Sequence, residues 1–383
     1  ALLPGIEKHS LSKTKLAISK SYLGGDQALE ALFQACQDIK QETCFAQLFF
    51  SSQHQQALND TAERLADLVA KETTLSKEKT ANLPAADMET VSDRIDKVKD
   101  IVWCLKKEIL DNVAAIAGLG TELAGSGNQK GLIVFKRINS VLNSIDRLEV
   151  RGRDSSGISV LFTFTKDEFE NYRNGLIKAG LSDRLKQRTN HLVLSNNSLT
   201  IKDFYPEDDT HLVSISFVYK FAAEIGALGD NVAFLRSQIK NDLMLQLLSR
   251  YDYLENSVSA HTRWASVGDI TVANCHPVDN TPTHREIGRT GIIHVCLNGD
   301  IDNYLELKTE YEARYTKIHE QINTDTKLIP LQIEHYLKQG HAVEEAFRLS
   351  VNDFEGSHAI SMHTNLSPGR LFLAQKGSGQ AIF

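Results

Sequence analysis

Arg263 and Trp264 stand side by side in the stretch HTRWASVGDITVANCHP, which closes on Asn274, Cys275, His276 and Pro277. An arginine guanidinium is a planar fork that grips a carboxylate through two parallel N–H···O bonds, which lysine does not reproduce. A tryptophan beside it would shield such a pair from water; the plainer reading is a surface arginine next to a core tryptophan. Asn298-Gly299 ends the strand-like run GIIHVCLNG. A side-chain amide and a backbone N–H together could meet one developing negative oxygen, and an ordinary Asn-Gly turn is the alternative. Asp325, at the head of a helical run, could hold an ammonium group or simply cap the helix. His276 could belong to a pocket or to a strand end.

The elements that must position these residues differ along the chain. Residues 26–118 read as almost wholly helical. Met88, Val91, Ile95, Val98, Val102, Leu105 and Ile109 form a heptad seam that meets Asn112 and Ile116, a pattern that predicts a helical hairpin, with an intermolecular coiled coil as the alternative. Leu58, Thr61, Leu65 and Leu68 sketch its partner stripe, and the polar run up to Pro84 marks a reversal. The Gly-rich segment Gly118–Gly131 lacks the Lys-Ser/Thr ending of a phosphate loop and reads as a flexible return. Beyond it, ISVLFTF, LTIKDFY, HLVSISFVYKF, GIIHVCLNG, HAISMHT and LFLAQK read as strands. DNVAFLRSQIKNDLMLQLLSRY, Tyr304–Tyr315 and Asp325–Lys338 read as helices. The pattern predicts an α+β fold with two packed sheets.

The 383 residues carry a net charge of -7 with 42% hydrophobic and 24% charged residues. That composition suits a globular protein with a sizeable core and no general affinity for nucleic acid or anionic membrane. No apolar run reaches the length of a membrane span, and the opening ALLPGIEKHS has no signal-peptide form. The five cysteines, Cys36, Cys44, Cys104, Cys275 and Cys296, form no CxxC pair. Their scatter argues against a disulfide framework or a zinc site and for a reducing, cytoplasmic setting. No metal or cofactor is expected.

Five motifs occur in a set order: RGRDSSG (Arg151–Gly157), HTRWAS (His261–Ser266), NCHP (Asn274–Pro277), LNGDIDNY (Leu297–Tyr304) and TDT (Thr324–Thr326). In that order they resemble the class II glutamine amidotransferases. HTRWAS, LGDNVAFLRSQI and FEGSHAISMHTNLSPGRLFLAQKGSG are similar to the glucosamine-6-phosphate synthase (glutamine:fructose-6-phosphate aminotransferase) branch. The resemblance covers roughly residues 132–383. It implies a four-layer αββα N-terminal-nucleophile hydrolase sandwich that hydrolyses L-glutamine and passes ammonia to a sugar phosphate. It further implies that Arg263 holds the α-carboxylate of glutamine and Asp325 its α-ammonium. Trp264 and Ser266 would lie on the pocket wall, with His276 in its supporting shell. Asn298 and Gly299 would stabilise the oxyanion, while Arg151 and Asp154 would order the loop around the nucleophile.

The sequence departs from the family in one chemical essential. The family's nucleophile is an N-terminal cysteine whose own α-amine is the base, a pairing suited to neutral pH; this chain begins with Ala1. ALLPGIEKHS resembles the family helix that follows the nucleophile strand, so the expectation is that this strand lies upstream of Ala1. Residues 1–25 would then open the glutaminase domain, with 26–125 as a helical insertion. Residues 126–383 would form its C-terminally incomplete remainder, with a further inserted hairpin around 181–209. The sugar-phosphate acceptor would be served by an isomerase domain outside this chain, and a homo-oligomer is compatible with the pattern. The alternative is a catalytically inactive, glutamine-sensing or scaffolding module.

Overall fold

The computed structural model describes residues 3–12, 18–79, 83–123, 126–189, 195–206, 210–222, 227–283, 289–377, 379 and 382. The chain divides into two compact units, Ala1–Gly118 and Leu119–Phe383.

The first unit is helical: α1 (Leu3–Lys8), α2 (Ile18–Ser21), α3 (Gly25–Ile39), α4 (Glu42–Phe49), α5 (Ser52–Lys79), α6 (Ala85–Trp103) and α7 (Asp111–Leu119). Helices α5 and α6 pack on each other as the hairpin. The polar stretch before Pro84 stays helical to Lys79, and residues 80–82 lie outside the described ones. The heptad seam holds only in part. Val91, Ile95 and Val98 are buried, whereas Met88 is 38% exposed. A π-helical segment, Cys104–Leu110, joins α6 to α7, and such a wide turn shifts the position that follows it on the helix surface, while Ile116 keeps its buried place on the seam. Val113 therefore takes the buried place that a straight seam assigns to Asn112. The Asn112 amide donates to the Glu108 carbonyl of its own helix at 2.7 Å. Within this unit Arg94 is 2% exposed. Its guanidinium donates to the carbonyls of Ile18, Ser19 and Tyr22 and to the Asp26 carboxylate, tying the opening segment to α6.

The second unit mixes helices with two antiparallel four-stranded sheets. Its helices are α8 (Gln129–Leu148), α9 (Lys166–Lys178), α10 (Ser182–Thr189), α11 (Asp230–Lys240), α12 (Leu243–Leu248), α13 (Tyr304–Arg314), α14 (Leu328–Lys338) and α15 (Val343–Asp353). Its strands are β1 (Ser155–Thr165), β2 (Ser198–Phe204), β3 (Leu212–Ala222), β4 (Glu255–Arg263), β5 (Val278–Asp279), β6 (Ile293–Gly299), β7 (His358–Thr364) and β8 (Leu371–Lys376). The first sheet runs β2-β3-β1-β4 and the second β5-β6-β7-β8. The single helix expected over residues 230–251 breaks at Asp242. That carboxylate caps α12 through the Met244 and Leu245 N–H groups. It also pairs with buried Arg188 and accepts from the Tyr219 hydroxyl at 2.6 Å. The segment expected to form an inserted hairpin supplies α10 and the edge strand β2; residues 190–194 and 207–209 fall outside the described ones.

Side chains alternate across a strand, and β1 uses both faces. Ile158, Val160, Phe162 and Phe164 are buried on one side, with Ile215, Phe217 and Tyr219 of β3 beside them. The other side carries Ser155, Gly157, Ser159, Leu161 and Thr163, in register with Val218, Ser214, Ser216 and Lys220 of β3 and with Ser257, Ser259 and His261 of β4. This polar face meets the second sheet. The Ser159 hydroxyl lies 2.5 Å from His294 Nδ1 on β6 and 3.0 Å from His363 Nε2 on β7. Ser257 reaches the other His363 nitrogen at 2.9 Å. Gly157 permits the approach: a Cβ there would collide with the His276 carbonyl oxygen. The far face of the second sheet packs Ile293, Val295, Ile360 and Met362 into an apolar cluster with α14 and α15. Among the described residues no helix is long and apolar enough to cross a membrane, and no three His, Cys, Asp or Glu side chains converge as metal ligands.

Burial holds His294 and His363 neutral, the latter pulled down to about 4. The unfolded chain, with ordinary histidines near 6.5, binds protons that the folded one refuses. Stability is therefore expected to fall as pH drops below about 6.5, by about 1.4 kcal/mol per pH unit for each such histidine. Chemical denaturation between neutral and mildly acidic pH measures this; a midpoint independent of pH would contradict it.

Candidate functional site

A cavity of about 780 Å³ opens in the second unit along β4, the outer strand of its sheet. Helix α8 walls one side with Val141, Ile145 and Leu148, and the second sheet walls the other with Cys296, Ser361 and Leu373. The same cavity is lined by Arg151, Arg263, Trp264, Ser266, His276, Asn298, Gly299 and Asp325. Residues singled out far apart in sequence thus meet at one place. Asp154 is the exception: it does not line the cavity but braces it. Its carboxylate accepts from the Ala265 N–H at 2.7 Å, and its own N–H donates to the Arg263 carbonyl. The register Ser155 opposite Arg263 brings the two motifs side by side.

The arginine–tryptophan pair reverses the plain expectation: Arg263 is 4% exposed and Trp264 is 72% exposed. Two of the guanidinium donors go to the Asp269 and Val267 carbonyls, which fix its plane at the end of β4. Burial pulls its pKa down, and Cys275, Asp325 and Asp154 oppose that pull; an arginine so placed stays charged. Trp264 lies on the cavity wall, largely exposed. Ser266 donates to Asp300 Oδ1 at 2.5 Å, linking the loop after β4 to the turn after β6.

Asp325 is 4% exposed at the start of a short 3-10 turn, Asp325–Lys327. Its Oδ2 accepts from the Ile301 N–H at 2.9 Å and its Oδ1 from the Thr326 N–H at 2.7 Å. Burial and neighbouring Asp300 raise its pKa, while those two N–H bonds lower it. Arg263 and Asp325 are thus two buried opposite charges facing one cavity. Gly299 takes φ +109°, and a Cβ there would collide with the Ser357 carbonyl, so only glycine suits this left-handed turn. Asn298 is exposed beside it. His276, joined to Pro277 by a cis bond, is 4% exposed. Its Nε2 lies 2.9 Å from the Thr326 hydroxyl, and its ring sits 4.6 Å from that of His261. Burial, then competition with the neighbouring His261 ring and the Arg263 charge, holds the His276 pKa well below the usual range. Arg151 ends a 3-10 turn begun by Glu149, whose buried carboxylate accepts from the Gly229 and Asn231 N–H groups at the head of α11. That contact orders the RGRD loop.

Sequence reasoning passed over Thr326, His261 and Asp300 as individual residues, although each lies inside or beside a quoted motif. It also left out the α8 wall, which no polar signal marks. Of the cysteines, Cys296 lines the cavity, but burial pushes its thiol up to about 12. Cys275 is raised by burial as well. Neither is an activated nucleophile.

No protein-family model matches the chain. A 119-residue stretch, 31% of the chain and 18% of the relative, is 37% identical to the glutamine–fructose-6-phosphate aminotransferase (isomerizing) of Methanothermobacter thermautotrophicus. The same-named protein of Bacillus subtilis is 34% identical over 118 residues, 31% of this chain and 18% of its own. That of Gluconobacter oxydans is 32% identical over 160 residues, 42% and 24% of the two chains. The chain therefore matches less than a quarter of the length of each of these relatives. A solved glutamine phosphoribosylpyrophosphate amidotransferase from B. subtilis aligns at 14% identity over 54% of this chain and 35% of its own. Its TM-score of 0.27 is too low to carry an argument about the fold.

Gly299→Ala is expected to destabilise the chain by more than about 1 kcal/mol, because both the backbone conformation and the Ser357 carbonyl resist a Cβ. Trp264→Ala, at an exposed site, is expected to stay within about 0.5 kcal/mol of wild type. Thermal melts of the two variants check the contrast, and equal losses would contradict the geometry described.

Proposed function

We propose that this chain, which resembles the class II glutamine amidotransferases of the glutamine–fructose-6-phosphate aminotransferase branch, forms their glutamine-binding side and adopts their four-layer sandwich. The observation that carries the reading is that Arg263 and Asp325, buried and opposite in charge, line a single cavity close enough for each charge to act on the other. An amino acid presents a carboxylate and an ammonium on one carbon, and such a pair of buried charges matches that head group. Arg263 takes the carboxylate and Asp325 the ammonium, with Ser266 and Trp264 on the wall and His276 behind. The side-chain amide then points along the cavity toward Asn298 and Gly299. When a thiolate attacks its carbonyl carbon, the oxygen gains the charge that the Asn298 amide and the Gly299 N–H receive. Ammonia leaves, and water hydrolyses the thioester to glutamate.

The thiolate of this class is a cysteine bearing its own free α-amine, and none of the five cysteines here fits that role. Ammonia production therefore needs a nucleophile other than these five cysteines. The helical block, residues 26–125, is read as an insertion into this domain, and ammonia is passed to a sugar phosphate on a separate isomerase domain. Cytoplasmic placement and self-association belong to the same reading. The second reading, an inactive glutamine-sensing or scaffolding module, is favoured by the high thiol pKa of Cys296, the cavity's own cysteine.

Calorimetric titration of the chain with L-glutamine tests the binding claim. Binding is expected, with Arg263→Lys and Asp325→Asn each weakening it by about tenfold or more. Glutaramate, which lacks the ammonium, is expected to bind Asp325→Asn no worse than wild type. No binding by wild type, or equal binding by Arg263→Lys, would sink the reading. Ammonia release by the protein in its longest natural form separates enzyme from sensor.

A further inference from the structure

Thr326 has no place in the reading above, yet it is fully buried on the cavity wall between two of the residues used there. Its hydroxyl lies 2.9 Å from His276 Nε2 and 3.3 Å from Asp325 Oδ1. The Thr324 hydroxyl, 3.3 Å from both Thr326 Oγ1 and Asp325 Oδ1, closes the cluster. A threonine hydroxyl has one proton to give. If it goes to Asp325, His276 must carry its proton on Nε2 and donate to the Thr326 oxygen. If it goes to His276, Nε2 must be bare and the neutral ring protonated on Nδ1. Besides Thr326, the ring meets the Leu297 backbone, so either neutral tautomer keeps a hydrogen bond.

We propose that Thr326 is a positioning residue whose single hydroxyl proton couples the tautomer of His276 to the ionisation of Asp325. The proposal rests on the glutamine reading for its purpose but not for its chemistry. An ionised carboxylate draws a donor more strongly than a neutral imidazole does. Ionisation of Asp325 therefore turns the hydroxyl toward it and selects the Nε2–H form of His276. An ammonium that favours ionised Asp325 thereby selects the Nε2–H form of His276. The charged groups facing the pair are Asp300 and Arg263 around Asp325, and Arg263 from β4 with Lys220 from β3 around His276, beside the neutral, buried imidazole of His261. The cations disfavour imidazolium, which keeps the exchange between two neutral tautomers.

The test uses the whole chain without ligand, following the Asp325 carboxyl carbon and the His276 ring nitrogens by NMR through a pH titration. In wild type the His276 nitrogens are expected to change tautomer with the same midpoint as Asp325. Thr326→Val is expected to raise the Asp325 midpoint by about one pH unit and abolish the linked change, whereas Thr326→Ser keeps both. A merely structural threonine would lower the melting temperature without moving either midpoint. Unchanged His276 nitrogens across the Asp325 titration in wild type, or an unmoved midpoint in Thr326→Val, overturn the proposal. The wild-type and serine arms decide it even if the valine variant does not fold. L-glutamine added afterwards separates the two claims: a linked titration without glutamine binding keeps the coupling and removes the glutamine reading.

Discussion

The contact of the Ser159 hydroxyl with His294 and His363 is the constraint on which the pocket-bearing unit depends. Two sheets packed through large apolar side chains stand about 10 Å apart. Here one of the facing surfaces is made largely of serines, a glycine and a few buried bases. Small side chains bring the backbones close, as at Gly157 beneath the His276 carbonyl, and each polar atom left inside then demands a partner. The serine–histidine bonds meet that demand and fix one sheet against the other. Arg263, at the end of β4, and the turn after β6 take their places from that fixed relation.

The same constraint explains the electrostatics. A charge taken from water is costly unless it is bonded or paired. Arg263 is satisfied by two loop carbonyls, and Asp325 by two backbone N–H groups. Each charge is therefore tolerated where it sits without a direct ion pair between them. Both remain turned to a common cavity, the condition under which a zwitterionic ligand gains most from both. The surrounding imidazoles are held neutral by burial, so they add hydrogen-bonding capacity without adding net charge at neutral pH.

How much of this was legible in the sequence follows from which signals are local. The strands of the second unit show as β-branched and aromatic runs. HTRWAS, NCHP, LNGD and TDT mark the site residues because polar groups at strand ends are rare enough to notice. The break at Asp242 was hidden because its cause, the Arg188 and Tyr219 bonds, comes from a helix and a strand distant in sequence. The shift of the α6 stripe was hidden because a π turn leaves the residue types unchanged. Trp264 illustrates the limit of composition: a large aromatic suggests a covered residue, while its position one step past the end of β4 turns it outward. Thr326 escaped for a different reason. A threonine announces no chemistry until its two partners are known.

The central claim is that Arg263 and Asp325 hold the two ends of one amino-acid head group. A crystal structure of the chain grown with L-glutamine tests this most directly. The account predicts the α-carboxylate paired with the Arg263 guanidinium, the α-ammonium on Asp325, and the amide oxygen directed toward Asn298 and Gly299. Glutamine bound with its head group elsewhere in the cavity, or a cavity still filled only by water at saturating glutamine, would contradict it.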